Sequence, residues 1–131
     1  MKITQELLDN LTAQAKESPR LRMNMDLRNS SADTSQRMLN AIEPGSVVPV
    51  HRHKKTSETV VVLRGRVVEE FYDDSGALED VCEVSAGGEI CALNITQAKW
   101  HTLKALESGT VILEMKDGGY EPIAEDDIMQ K

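Results

Sequence analysis

His51, His53 and His101 are the only histidines in this chain, and two of them stand one residue apart. Side chains of extended backbone alternate faces with a period of two, so His51 and His53 point one way and Arg52 the other. Four residues, Lys54 to Ser57, then form a short polar turn before Glu58, which heads the apolar run Val60 to Leu63. A strand carrying both histidines, with a second strand running back beside it from Glu58, would bring two imidazoles and a carboxylate to a common point. Such a mixed nitrogen and oxygen set suits one divalent transition metal per chain, Fe, Mn, Ni, Co or Zn. Ca and Mg prefer oxygen alone. The competing reading is a hairpin in which both histidines merely line a polar strand face. With only three histidines in the chain, His101 is the one left beyond this pair.

The flanking pattern indicates what must hold these residues. Ile3, Leu7, Leu8, Leu11 and Ala15 recur at helical spacing, with Thr4 as N-cap and Ser18-Pro19 as the stop, so a short helix is expected within residues 1–18. Leu21, Met23, Met25 and Leu27 alternate with Arg20, Arg22, Asn24, Asp26 and Arg28, as in a strand with one wet or ligand-facing side. After a polar loop, Gln36 to Ile42 reads as a second strand ending at Glu43-Pro44-Gly45. Val60 to Leu63 shows no polar alternation, so both faces of its strand need cover: one from a barrel lumen, the other from the N-terminal segment or a second subunit.

Further along, Asp73-Asp74-Ser75-Gly76 is a hairpin signal between Arg66–Tyr72 and Leu78–Val84. Strands are also expected at Glu89–Ile95, Lys99–Leu106 and Thr110–Lys116. In the second of these, alternation aims His101, Leu103 and Ala105 inward and Thr102 and Lys104 outward. The sum is a mainly β chain: an antiparallel jelly-roll β-barrel (20–116) behind a short N-terminal α-helix, with an acidic tail (117–131) expected to be irregular and solvated, all within one domain, 1–131. The apolar face of Leu21 to Leu27, added to that of Val60 to Leu63, exceeds what one small barrel must bury, which predicts a homodimer.

Composition narrows the partners. With 15 basic and 22 acidic residues the net charge is −7, which disfavours nucleic acid and anionic membrane surfaces. No apolar run reaches signal-peptide or membrane-spanning length, so a cytoplasmic location is the default expectation, with Cys82 and Cys91 as free thiols there.

The stretch from Gly45 through His51, His53 and Glu58 to Gly65 resembles the first sequence motif of the cupin superfamily at each of its defining positions. The second cupin motif normally supplies a final histidine after a Gly, a Pro and another Gly. Here the segment from Gly88 to His101 lacks the Pro and the second Gly, yet His101 stands at its end, so the resemblance implies the ligand set His51, His53, Glu58 and His101. Across its length the chain is similar to the WbuC-family cupin-fold metalloproteins, through Ser18-Pro19-Arg20, Arg22-Met23-Asn24, Gln36-Arg37, Phe71 to Gly76, Trp100-His101 and Glu114-Met115-Lys116. The resemblance implies fold and metal and names no reaction. Candidate groups for a small oxygen-rich ligand, such as a sugar derivative, are Arg22, Asn24, Arg37, Asn40 and Tyr120. Three functions stay open: an isomerase, epimerase, lyase or dioxygenase; a non-catalytic module that holds a ligand on the metal; and a barrel with a purely structural metal. With all histidines committed as ligands, the enzyme reading needs an acid or base from elsewhere.

Overall fold

A helix, α1 (Gln5–Glu17), leads the chain in the structure, a computed structural model that describes residues 1–130. The side chain of Thr4 accepts the Leu7 N–H at 3.2 Å, and the N–H of Ser18 closes the last turn on the carbonyls of Gln14 and Ala15. Eight strands follow: β1 (Arg22–Asp26), β2 (Ser35–Ile42), β3 (Glu58–Arg64), β4 (Arg66–Tyr72), β5 (Leu78–Ser85), β6 (Ala92–Ile95), β7 (Trp100–Ala105) and β8 (Thr110–Asp117). They form two antiparallel sheets, one ordered β1-β2-β8-β3-β6 and one β5-β4-β7. This is the expected jelly roll.

Period-two alternation sorts the larger sheet into two faces. Leu39, Ala41 and Val111 meet Leu8, Leu11 and Ala15 of α1, while Ile42, Val60, Val62 and Ile112 join Val67, Val84, Ile95 and Leu103 in the lumen. Both faces of β3 are thus covered as its composition demanded. The cover is intramolecular, however: Met23, Met25, Leu27 and Leu63 pack against the α1 cluster, so the apolar faces that argued for a second subunit are occupied by the chain's own helix. The corner between β3 and β4 is made by Gly65 at φ +84°. A Cβ there would stand 2.3 Å from Thr110 Oγ1 and 2.8 Å from its Cα, so the turn requires glycine both for its backbone angle and for the close approach of β8.

Four expectations need correction. His51 and His53 lie in irregular backbone, not in a strand, and Glu58 opens a strand that pairs with β6 and β8 and not with the histidine segment. That segment carries Pro49, which lacks an N–H, and its ladder reduces to isolated bridges from His51 to His101 and to Ile128. The strand expected from Glu89 shortens to Ala92–Ile95. Thr102 points away from the lumen but is buried, because the crossing segment covers it and Val48 O accepts its hydroxyl at 2.6 Å. The acidic tail is not free in solvent: a turn of 3-10 helix at Glu125–Asp127 brings it back over the barrel mouth, and Met129 N–H donates to Val50 O at 2.8 Å.

Candidate metal centre

The three imidazoles converge. His51 and His101 exchange both backbone hydrogen bonds, N to O at 3.0 and 2.9 Å, which ties the irregular segment to the first turn of β7, and Ala98 N–H donates to His53 O at 2.8 Å. Ala98 makes this tight turn at φ +64°, the left-handed conformation that glycine would adopt without strain. The ring nitrogens of His51, His53 and His101 fall within 4.8 Å of one another. Glu58 Oε2 stands 3.5 Å from His53 Nε2 and 3.4 Å from His101 Nε2.

Protonation follows from the neighbours. His51 Nδ1 lies 2.8 Å from Pro49 O, and His101 Nδ1 lies 2.8 Å from Lys99 O. A carbonyl can only accept, so both rings carry their proton on Nδ1 and offer the Nε2 lone pair to the cluster. Burial, then the charge of Lys116, push His53 down to about 4, and burial and His101 lower His51. Burial would raise Glu58, but His101, Lys116 and His53 overcome it and hold the carboxyl at about 2. At neutral pH the cluster therefore presents His51 and His53 uncharged and Glu58 as a carboxylate, the forms that bind metal. Glu58 Oε2 is buried and has no hydrogen-bond partner. An orphaned carboxylate oxygen is costly in a protein interior, and a cation at this point would satisfy it. The donor set and this orphan both fit a divalent transition metal, which would supply Lewis-acid polarisation of a ligand oxygen.

Beside the cluster is a pocket of about 250 Å³ lined by Arg22, Asn24, Asn40 and Glu114 as well as the four donors, with Ile123 and Ile128 of the tail at its mouth. Arg22, Asn24 and Asn40, three of the candidate ligand groups, are thus among the residues that line this pocket. Arg37 is not: it has the opposite parity to Asn40 on β2, donates to the carbonyls of Ser35 and Leu27, and lines a more open groove of about 520 Å³ on the outer side of the sheet. Tyr120 is 63% exposed, with the Arg28 guanidinium 5.8 Å from its ring centroid.

Three groups escaped the sequence reading. Glu114 on β8 is buried, accepts Asn40 Nδ2 at 3.1 Å, and is raised by burial and by the charge of Glu58. Its signal was a carboxylate sharing parity with Ile112 in an apolar strand. Glu69 on β4, flanked at the same parity by Val67 and Phe71, is fully buried among core residues with neither oxygen bonded. The third is the tail clasp: Arg52 lies 4.4 Å from the centroid of Trp100 and pairs with Asp127 at 2.9 Å, and Lys54 reaches the same carboxylate at 3.2 Å. No spacing rule announces a contact across 75 residues.

Solved structures agree with the jelly-roll fold. KdgF from Halomonas sp., a cupin-fold protein, superposes with a TM-score of 0.63 at 14% identity over 79% of this chain and 84% of that one. The R92A variant of Bacillus subtilis oxalate decarboxylase OxdC gives 0.60 at 21% identity over 83% of this chain, and the S161A variant gives 0.57 at 23% over 74%. The chain spans only 27% and 24% of those two oxalate decarboxylase chains. No curated protein matches it. Residues 3–84 match the family described as Domain of unknown function (DUF6016), and the chain belongs to that family. Among the described residues, no helix is long and apolar enough to cross a membrane.

Proposed function

We propose that this protein holds one divalent transition metal at His51, His53, Glu58 and His101 and acts there on a small oxygen-rich molecule such as a sugar derivative. The observation that carries the reading is the orphaned Glu58 Oε2 beside two Nε2 atoms, with the Nδ1 protons of His51 and His101 fixed by carbonyls. The resemblance to WbuC-family cupins supports the same ligand set.

Glu114 favours an enzyme over a passive holder. Sequence reasoning left no histidine for acid–base work once all three were committed, so that Glu58, Tyr72, Tyr120 or a metal-bound hydroxide would have had to serve. Glu114 lines the same pocket, is not among the ligands, and is pushed toward its protonated form by burial, which suits it to deliver a proton to a ligand oxygen. Two carboxyls pushed in opposite directions, Glu58 down and Glu114 up, are the arrangement that acid–base chemistry needs. Isomerisation, epimerisation and elimination all require such a proton donor.

The test is metal stoichiometry on protein purified without nickel resin, stripped and reloaded. Wild type should bind about one ion per chain. His51→Ala should lose stoichiometric binding, and His101→Gln should weaken it on the order of a hundredfold, since losing a ligand costs at least as much as losing a residue that orients one. Undiminished metal in the His51→Ala protein would overturn the assignment.

A further inference from the structure

The pocket beside the donor cluster carries two unmet chemical needs of opposite kind. The first is an acceptor. Asn40 is buried, and its Nδ2 donates to Glu114 Oε1 at 3.1 Å, which leaves Asn40 Oδ1 inside the protein with no partner. Such an oxygen destabilises the pocket until an O–H or N–H reaches it. The second is a donor. Arg22 Nη1 is held at 2.8 Å by Val47 O, which anchors the guanidinium against the segment leading to the histidines. A guanidinium has five N–H donors in a planar fork that matches a carboxylate. Arg20 is also among the residues lining the pocket, and burial together with the charge of Arg20 lowers Arg22. An anion bound there would relieve both effects.

The strand register places these groups in order across the sheet. Asn24 pairs with Asn40 across β1 and β2, and Asn40 pairs with Ile112 on β8, whose next lumen-facing residue is Glu114. Glu58, paired with Lys116, closes the row on β3. A ligand lying along this row meets guanidinium, then amide oxygen, then the metal cluster. At about 250 Å³ the pocket is smaller than those that take drug-sized molecules, so the ligand is small.

We propose that the pocket takes a small hydroxy acid, with its carboxylate on the Arg22 fork and a hydroxyl donating to Asn40 Oδ1 beside the metal centre. The proposal rests on the metal-dependent reading above and narrows its ligand class from oxygen-rich molecules in general to polyhydroxylated carboxylates.

The test compares pairs that differ only in the terminal carboxylate: D-gluconate against sorbitol, and D-glycerate against glycerol. Binding is followed by calorimetry on wild type, Arg22→Gln and Arg22→Lys, each with its metal content measured beforehand, and on the stripped wild type. The acids should bind at least on the order of tenfold tighter than the polyols, and Arg22→Gln should remove that preference while metal content is unchanged. Arg22→Lys, which keeps the charge without the fork and guards against a folding defect in the first variant, should fall between. Asn40→Leu should weaken gluconate but not hexanoate, which has no hydroxyl to offer. Equal binding of acid and polyol to wild type, or an acid preference that survives Arg22→Gln, would overturn the proposal. Failure to take up metal would instead overturn the metal reading, and the acid-against-polyol comparison on stripped protein would still decide the Arg22 assignment.

Discussion

Glu69 sets up a stability experiment whose size follows from its surroundings. Its side chain is 0% exposed and neither oxygen has a partner. Burial, then the charges of Glu58 and Glu114, raise its carboxyl from 4.5 to about 9. The folded state therefore keeps a proton that the unfolded chain releases, and stability must fall as pH rises between those two values and level off outside them. Each pH unit in the window costs about 1.4 kcal/mol, so near pH 7 the penalty is about 3 kcal/mol, a large share of a typical domain's stability. Glu69→Gln keeps the shape and removes the titration. Urea unfolding of the metal-free proteins should then show the variant gaining on wild type by about 3 kcal/mol between about pH 5.5 and about pH 7.5. Metal must be absent, since a cation on Glu58 would offset the charge that helps raise Glu69. Glu69→Leu, which also removes the unpartnered polar atoms, should be more stable than wild type at every pH, by roughly 1–3 kcal/mol beyond the titration effect. A difference between wild type and Glu69→Gln that stays constant with pH would refute the reasoning, because it would mean that Glu69 ionises alike in both states.

Two further outcomes are expected. Arg52→Ala removes both the Trp100 stack and the Asp127 pair that hold the tail across the pocket mouth, so chelator should strip metal on the order of tenfold faster with little change in affinity; stopped-flow chelation at unchanged rate would show that the tail does not limit access. Gly65→Ala should lose on the order of 3 kcal/mol, from the positive φ and the collision with Thr110, and a loss under about 1 kcal/mol in urea unfolding would mean that the β3–β4 corner shifts freely.

Local pattern was enough for most of the elements and for the residue types of the cluster. Helix α1 was legible from its cap, its stop and its apolar stripe, because these act within a few residues. The strands were legible from alternation and turn residues for the same reason. His51, His53 and Glu58 could be singled out because a metal demands particular residue types, and His101 because the chain holds no other histidine; the structure brings all four side chains together.

Tertiary structure decided how the donors are brought together. The sequence pattern predicted a histidine strand paired with the strand of Glu58, whereas irregular backbone crosses β7 and is tied there by the His51–His101 exchange. It decided that α1 covers the outer face of the sheet, where composition could equally have been satisfied by a second chain. Above all it decided the fate of carboxylates. Glu58, Glu69, Glu114 and Asp127 are the same chemical group in sequence, yet one lies beside imidazoles, one is sealed in the core, one faces an amide in the pocket and one clasps an arginine. Those surroundings come from strands and loops far apart in the chain, and the local windows that reveal helices and strands contain no information about them.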